Sequence, residues 1–157
     1  MWAAFGQADY PEHKYHALGS TDHHILRFNV NEKLIEVELE RSTQARAESI
    51  PEWAHKLIGG EHKMHHHTWW RRVSPTQVEA ELNITPMDMP VSAHAAGTII
   101  ELGHGQTSMT LDFEVECRLP GLGATVARLF ADQVKEALRA DHAFTLRYLK
   151  GAASKPA

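Results

Sequence analysis

Twelve of the 157 residues are histidines, and four of them, His62, His65, His66 and His67, crowd into the run EHKMHHHTWWRRV from Glu61 to Val73. Two chemistries are open to such a run. Two histidines on one face of a strand can hold zinc if a third ligand comes near, with His55, His94 or His104 as candidates. A single inward histidine with a pKa near neutrality can act as a general base. Against the metal, the chain has one cysteine, Cys117, no helical His-Glu-x-x-His and no carboxylate at a recognisable spacing. A solvated strand face accounts for most of these histidines, and neither a metal nor another cofactor is expected. Trp69 and Trp70 follow directly, and adjacent strand residues point to opposite faces. Taking Trp70 as inward puts Met64, His66 and Thr68 inside, with Lys63 and Arg71 outside. Arg72 then falls on the inward side, which counts against that choice.

Strand chemistry requires strands, and the flanking sequence supplies them. Ile35, Val37 and Leu39 alternate with Glu36, Glu38 and Glu40, the period-two pattern of a strand with one wet face. Val78, Ala80, Leu82 and Ile84 alternate with Glu79, Glu81 and Asn83, and Ser74-Pro75-Thr76 joins this strand to the histidine run as a hairpin. Ala93 to Leu102 reads as another strand, turning at His104-Gly105 into Gln106 to Leu119. There Met109, Leu111, Phe113, Val115 and Cys117 face one way, and Thr110, Asp112, Glu114, Glu116 and Arg118 the other. His23 to Val30 makes a sixth strand. The acidic residues of these runs read as a solvated face and not as acid/base pairs.

Helices are expected at both ends. Trp2 to Leu18 divides into two short pieces, the second opened by Pro11 and closed by Gly19. Another short helix is expected over Pro51 to Ile58, with Gln44 to Ser49 as loop. The longest run, Leu122 to Leu149, spaces Val126, Phe130, Val134, Ala137, Leu138, Phe144 and Tyr148 mostly three or four apart, and Gly151 supplies a stop. At ~1.5 Å per residue this helix is roughly 40 Å long. A helix of that length needs a wide surface, and consecutive hairpins with a segregated helix indicate α+β. The expected architecture is a curved antiparallel sheet of about six strands wrapped on the C-terminal helix. It forms one domain over residues 1–151, with a flexible tail at 152–157.

Composition narrows the function. A formal charge of −4 gives no basic footprint for nucleic acid, and the Arg71-Arg72 pair beside two tryptophans is too isolated to change that. No run nears the ~20 apolar residues of a membrane span, so stable membrane insertion is not expected. The start lacks a basic-then-apolar leader, which gives cytoplasmic location as the default. Hydrolase elbows and phosphate loops are absent from the sequence.

The order of elements and several local stretches resemble the START-like, or SRPBCC, helix-grip superfamily. Within it the chain resembles the bacterial branch labelled domain of unknown function 2505. The match runs from about Ala3 to Leu149. It rests on Lys14-Tyr15 with Ala17-Leu18-Gly19, Ile50-Pro51 leading to Lys56 and Gly59, Gly97-Thr98, and Arg118-Leu119-Pro120-Gly121-Leu122-Gly123. None of these is a catalytic motif. The superfamily usually begins with a strand, whereas this chain starts inside its first helix. The resemblance therefore implies an uncovered sheet edge, which invites another chain to pair and makes a homodimer one expectation.

The resemblance implies a cavity between sheet and long helix that holds a hydrophobic small molecule or lipid, as in a carrier or sensor. Its expected lining is Met64, His66, Thr68 and Trp70 from the histidine strand, and Thr98, Ile100, Leu111 and Phe113 from the last two strands. Val126, Phe130, Val134 and Leu138 complete it from the helix. Two other readings stay open: a cyclase- or aromatase-like enzyme using His66, and an interaction protein with a closed core.

Overall fold

The computed structural model describes residues 1–20, 22–44, 51–55 and 60–153. Two short helices open the chain, α1 (Trp2–Phe5) and α2 (Tyr10–Ala17). Six strands follow: β1 (Asp22–Val30), β2 (Leu34–Gln44), β3 (Glu61–Ser74), β4 (Gln77–Pro86), β5 (Val91–Gly103) and β6 (Gln106–Cys117). A single 3-10 turn, Glu52–Ala54, stands where a short helix is expected, and Lys56 to Ile58 lie outside the described residues. The final helix, α3 (Gly123–Ala153), has 31 residues and is about 46 Å long at ~1.5 Å per residue.

The strands form one open antiparallel sheet in the order β1-β2-β3-β4-β5-β6, an uninterrupted meander. It curves around α3, so the chain is α+β with one long helix held by a curved sheet. Helix α3 outruns the expected stop at Gly151, because a lone glycine near a helix end costs only about 1 kcal/mol relative to alanine. His104 and Gly105 both take positive φ, 53° and 74°, which is the two-residue hairpin geometry that matches strand twist.

Ladder partners define the two faces, since residues directly opposite share a face. One inward row is Ile35, Trp70, Ala80, Gly97 and Leu111; the next is Val37, Thr68, Leu82, Ala95 and Phe113; a third is Leu39, His66, Ile84, Ala93 and Val115. Trp70 is thus the inward tryptophan, 7 % exposed. Arg72, on the same side, lies at the rim with its guanidinium 4.4 Å above the Trp2 ring, which reconciles a charge with that register. On the outer face the β2 carboxylates meet the β3 histidines: Glu38 bonds His65 at 3.0 Å and Glu36 bonds His67 at 2.9 Å.

Two large apolar clusters fill the inside, beside a small third one of Ala54 and Val126. One gathers Phe5, Tyr10, Ile35, Trp70, Ile99 and Phe144, with α1 and α2 contributing rings 5.0 Å (Phe5–Tyr10) and 5.3 Å (Phe5–Trp70) apart. The other joins Met64, Ile84, Val91 and Ala93 to Phe130 and Val134 of α3. Gly97 sits at a close approach of β5 and β6: a Cβ there would lie 1.8 Å from the carbonyl oxygen of Thr110. No helix of the described residues is long and apolar enough to cross a membrane.

Candidate functional site

A polar group, buried at Lys14, Tyr15 and His66 and half-buried at Arg41, lies where α2 meets the inner face of the sheet. Arg41 occupies the inward phase of β2, following Ile35, Val37 and Leu39. Its Nε–H donates to Nε2 of His66 at 3.1 Å, and Nη1 donates to the Ser20 hydroxyl at 3.2 Å. The guanidinium carbon stands 5.4 Å from the centre of the Tyr15 ring. Tyr15 in turn meets the His66 ring edge-on, with centroids 6.0 Å apart. From α2, Lys14 reaches Asp141 of α3 with Nζ 2.7 Å from Oδ2. Tyr10 and Thr145 share a hydroxyl–hydroxyl bond one turn further along.

The charge states follow from these contacts. Burial holds the His66 imidazole well below its usual pKa, and the positive charges of Arg41 and Lys14 push it further down. His66 is therefore neutral. Because Nε2 accepts from Arg41, the ring proton sits on Nδ1. Burial disfavours the charge on Lys14, but the Asp141 carboxylate outweighs it, and the lysine pKa rises well above its ordinary value. Burial likewise lowers Arg41, against the pull of Tyr15 and Asp141, but a guanidinium keeps its charge in any protein. Lys14 and Asp141 cancel, His66 is neutral, and Arg41 leaves one positive charge over. Among the described residues no carboxylate lies within ion-pair reach of it.

Arg41 also lines a cleft of about 680 Å³. One wall is Leu18 and Gly19 from the end of α2 with Arg41, Thr43 and Gln44 from the end of β2. The other is the middle of α3, from Asp132 to Ala140. The α3 charges are satisfied within the helix: Lys135 lies 3.9 Å from Asp132, and Arg139 2.6 Å from Glu136.

None of the twelve residues expected to line a cavity lines this cleft. Met64, Phe130 and Val134 are buried in the second cluster, with Phe113 and Leu138 packed on it. Trp70 belongs to the first, with Leu111 beside it. Val126 packs on Ala54. His66 and Thr68 are buried on the inner face. Thr98 and Ile100 require correction. Thr98 pairs with Glu79 and Thr110 on the outer face, and Ile100, also outward, is 41 % exposed. Ile99 is the inward residue, 3 % exposed. The run Ala95-Ala96-Gly97-Thr98-Ile99-Ile100 offers apolar residues to both faces, so its phase is set by pairing with β6, and a shift of one residue inverts it.

The residues that do build the site, Arg41, Lys14, Tyr15, Ser20 and Asp141, carry no catalytic spacing. One signal was present: Arg41 continues the inward alternation of β2, where a charge is out of place. Elsewhere, His62 bonds Asp88 at 2.7 Å while its buried Nε2 has no partner among the described residues. No group of three metal-ligating side chains is assembled among the described residues.

A family model described as a protein of unknown function (DUF2505) matches residues 1–149. The chain belongs to that family. The match takes in the whole sheet, both short helices and most of α3, so every residue of the Arg41 group is part of the family domain. No curated protein matches the chain.

Proposed function

We propose that this member of the DUF2505 family is a small-molecule-binding protein of the START-like type, a carrier or sensor whose ligand occupies the cleft between α3 and the end of β2. The observation that supports this is the cleft itself: 680 Å³ is within the ~300–1,000 Å³ of ordinary ligand sites. Its lining is mostly polar, with Arg41, Lys135, Arg139, Asp132 and Glu136 in it, and Leu18, Ala137 and Ala140 supply a small apolar surface beside Arg41. The ligand is then a small amphipathic molecule, with an apolar body and a polar end at Arg41, rather than a lipid wholly enclosed by the sheet. Ten of the twelve residues expected to line such an enclosure pack in the interior, and Thr98 and Ile100 face outward.

The geometry gives less to an enzyme using His66. A general base needs a free lone pair near the substrate, and the Nε2 lone pair of His66 is engaged by Arg41 in a buried position.

Native mass spectrometry of protein made in its own host tests the reading. A bound small molecule, lost on denaturation, is the expected result. A clean unliganded spectrum, with no binding of added amphipathic compounds, contradicts it.

A further inference from the structure

We propose that Arg41 anchors the carboxylate of a monocarboxylic acid, with the apolar part of the acid lying along α3 beside Ala137 and Ala140. This rests on the cleft being a ligand site and adds the chemical class of the ligand.

A guanidinium has five N–H groups, and two are used, by His66 and Ser20. Both acceptors are neutral. The Nη1 and Nη2 end of the fork keeps three donors, in the geometry that takes a carboxylate through two parallel bonds. A charge removed from water is costly unless paired, and Arg41 has no carboxylate in reach among the described residues. Among the described residues the other charged side chains here have partners. Lys14 is held by Asp141, and the α3 residues pair along their own helix.

The surplus is a single positive charge, which one carboxylate cancels. A phosphate monoester, carrying nearly two negative charges at neutral pH, would leave one of them unmatched by Arg41, since Lys135 and Arg139, the other cations among the described lining residues, already face Asp132 and Glu136. The Nε bond to His66 and the Tyr15 ring hold the guanidinium plane in place before any ligand arrives. Little side-chain freedom is then lost on binding. Neutrality of His66 is essential to this device, because only a neutral ring can accept the Nε–H.

The test is calorimetric titration of the full chain with octanoate and with phenylacetate, each against its own amide. The amide has the shape of the acid without its charge. At least one acid is expected to bind about tenfold or more tightly than its amide, the worth of a charge-assisted pair. In Arg41→Gln that preference is expected to vanish, and in Arg41→Lys, which keeps the charge but loses the fork, to shrink. The wild-type comparison needs no variant, so the test stands even if Arg41→Gln fails to fold. Equal binding of acid and amide overturns the carboxylate anchor and leaves the cleft as a ligand site. Binding of none of the four at millimolar concentration overturns both.

Discussion

Arg41 Nε donates to Nε2 of His66 at 3.1 Å, linking two side chains that a curved sheet turns toward its own long helix. The bond fixes the tautomer of the histidine and the plane of the guanidinium together. It also makes the buried histidine a proton-excluding element. Protonation of His66 would remove the acceptor and set two positive charges against each other.

This gives a pH dependence with a definite sign. His66 has a lowered pKa when folded, so below about pH 6.5 the unfolded chain takes up a proton that the folded chain refuses. The His66 contribution is constant above that pH. Stability then falls as pH drops toward the folded-state value, by up to about 1.4 kcal/mol per unit. Urea unfolding at successive pH values, in wild type and His66→Gln, measures it. Glutamine keeps an acceptor but cannot titrate, so its curve is expected to be flatter between about pH 5 and 6.5. Parallel curves for the two proteins contradict a neutral, buried His66. The Glu36 carboxyl, lowered by bonds from Asn29 and His67, acts in a separate window. Its contribution is present above about pH 4.3 and fades only as pH falls through its lower folded value.

Lys14 and Asp141 tie α2 to α3 through a buried ion pair at 2.7 Å. Removing one partner leaves the other charge without compensation. Lys14→Met and Asp141→Asn are each expected to cost about 3–5 kcal/mol. The double variant is expected to lose much less than the sum, because neither charge is then stranded. Chemical denaturation of the four proteins decides it, and additive losses contradict the pairing.

Gly97 and Thr98 separate two kinds of position on one strand. Gly97→Ala drives a methyl into the Thr110 carbonyl and is expected to cost at least about 2 kcal/mol, since backbone must move. Thr98→Val, on the outer face, is expected to stay within about 0.5 kcal/mol. A tolerated Gly97→Ala would mean that β5 and β6 do not approach as described.

The outer edge of β6 bears on assembly. Asp112, Glu114 and Glu116 alternate along the outer face of that strand. Two copies pairing antiparallel through it would set these carboxylates against one another, and like charges opposite are destabilising. The edge-paired homodimer that an open sheet suggests is therefore expected to be opposed at neutral pH. It is expected to strengthen in Asp112→Asn/Glu114→Gln/Glu116→Gln. Sedimentation of both proteins checks this; a stable wild-type dimer through β6 contradicts it.

The sequence made the fold legible because its strongest signals are periodic. The alternation of Ile35, Val37 and Leu39 marks a strand with one buried face, and that of Leu111 to Cys117 a strand with one half-buried face. The spacing of Val126, Phe130 and Val134 marks the helix that covers them. Ile99 and Ile100 show where periodicity fails: both are strongly apolar, and only pairing with Met109 and Ser108 decides which is inside. The site was largely hidden for a different reason. Lys14, Arg41, His66 and Asp141 are far apart in the chain and share no motif, and their meeting depends on how α2 and α3 pack over β2 and β3. The histidine run drew notice by its density, yet His65 and His67 are outer-face partners of glutamates, and only His66 belongs to the buried group.

The central claim is that a ligand enters between α3 and the end of β2. Amide chemical-shift mapping of the full chain during an octanoate titration tests it most directly. The expected result is saturable shifts at Leu18, Gly19, Arg41, Thr43, Ala137 and Ala140, with the β6 edge unmoved. Absence of saturable shifts, or shifts confined to another surface, would contradict the account.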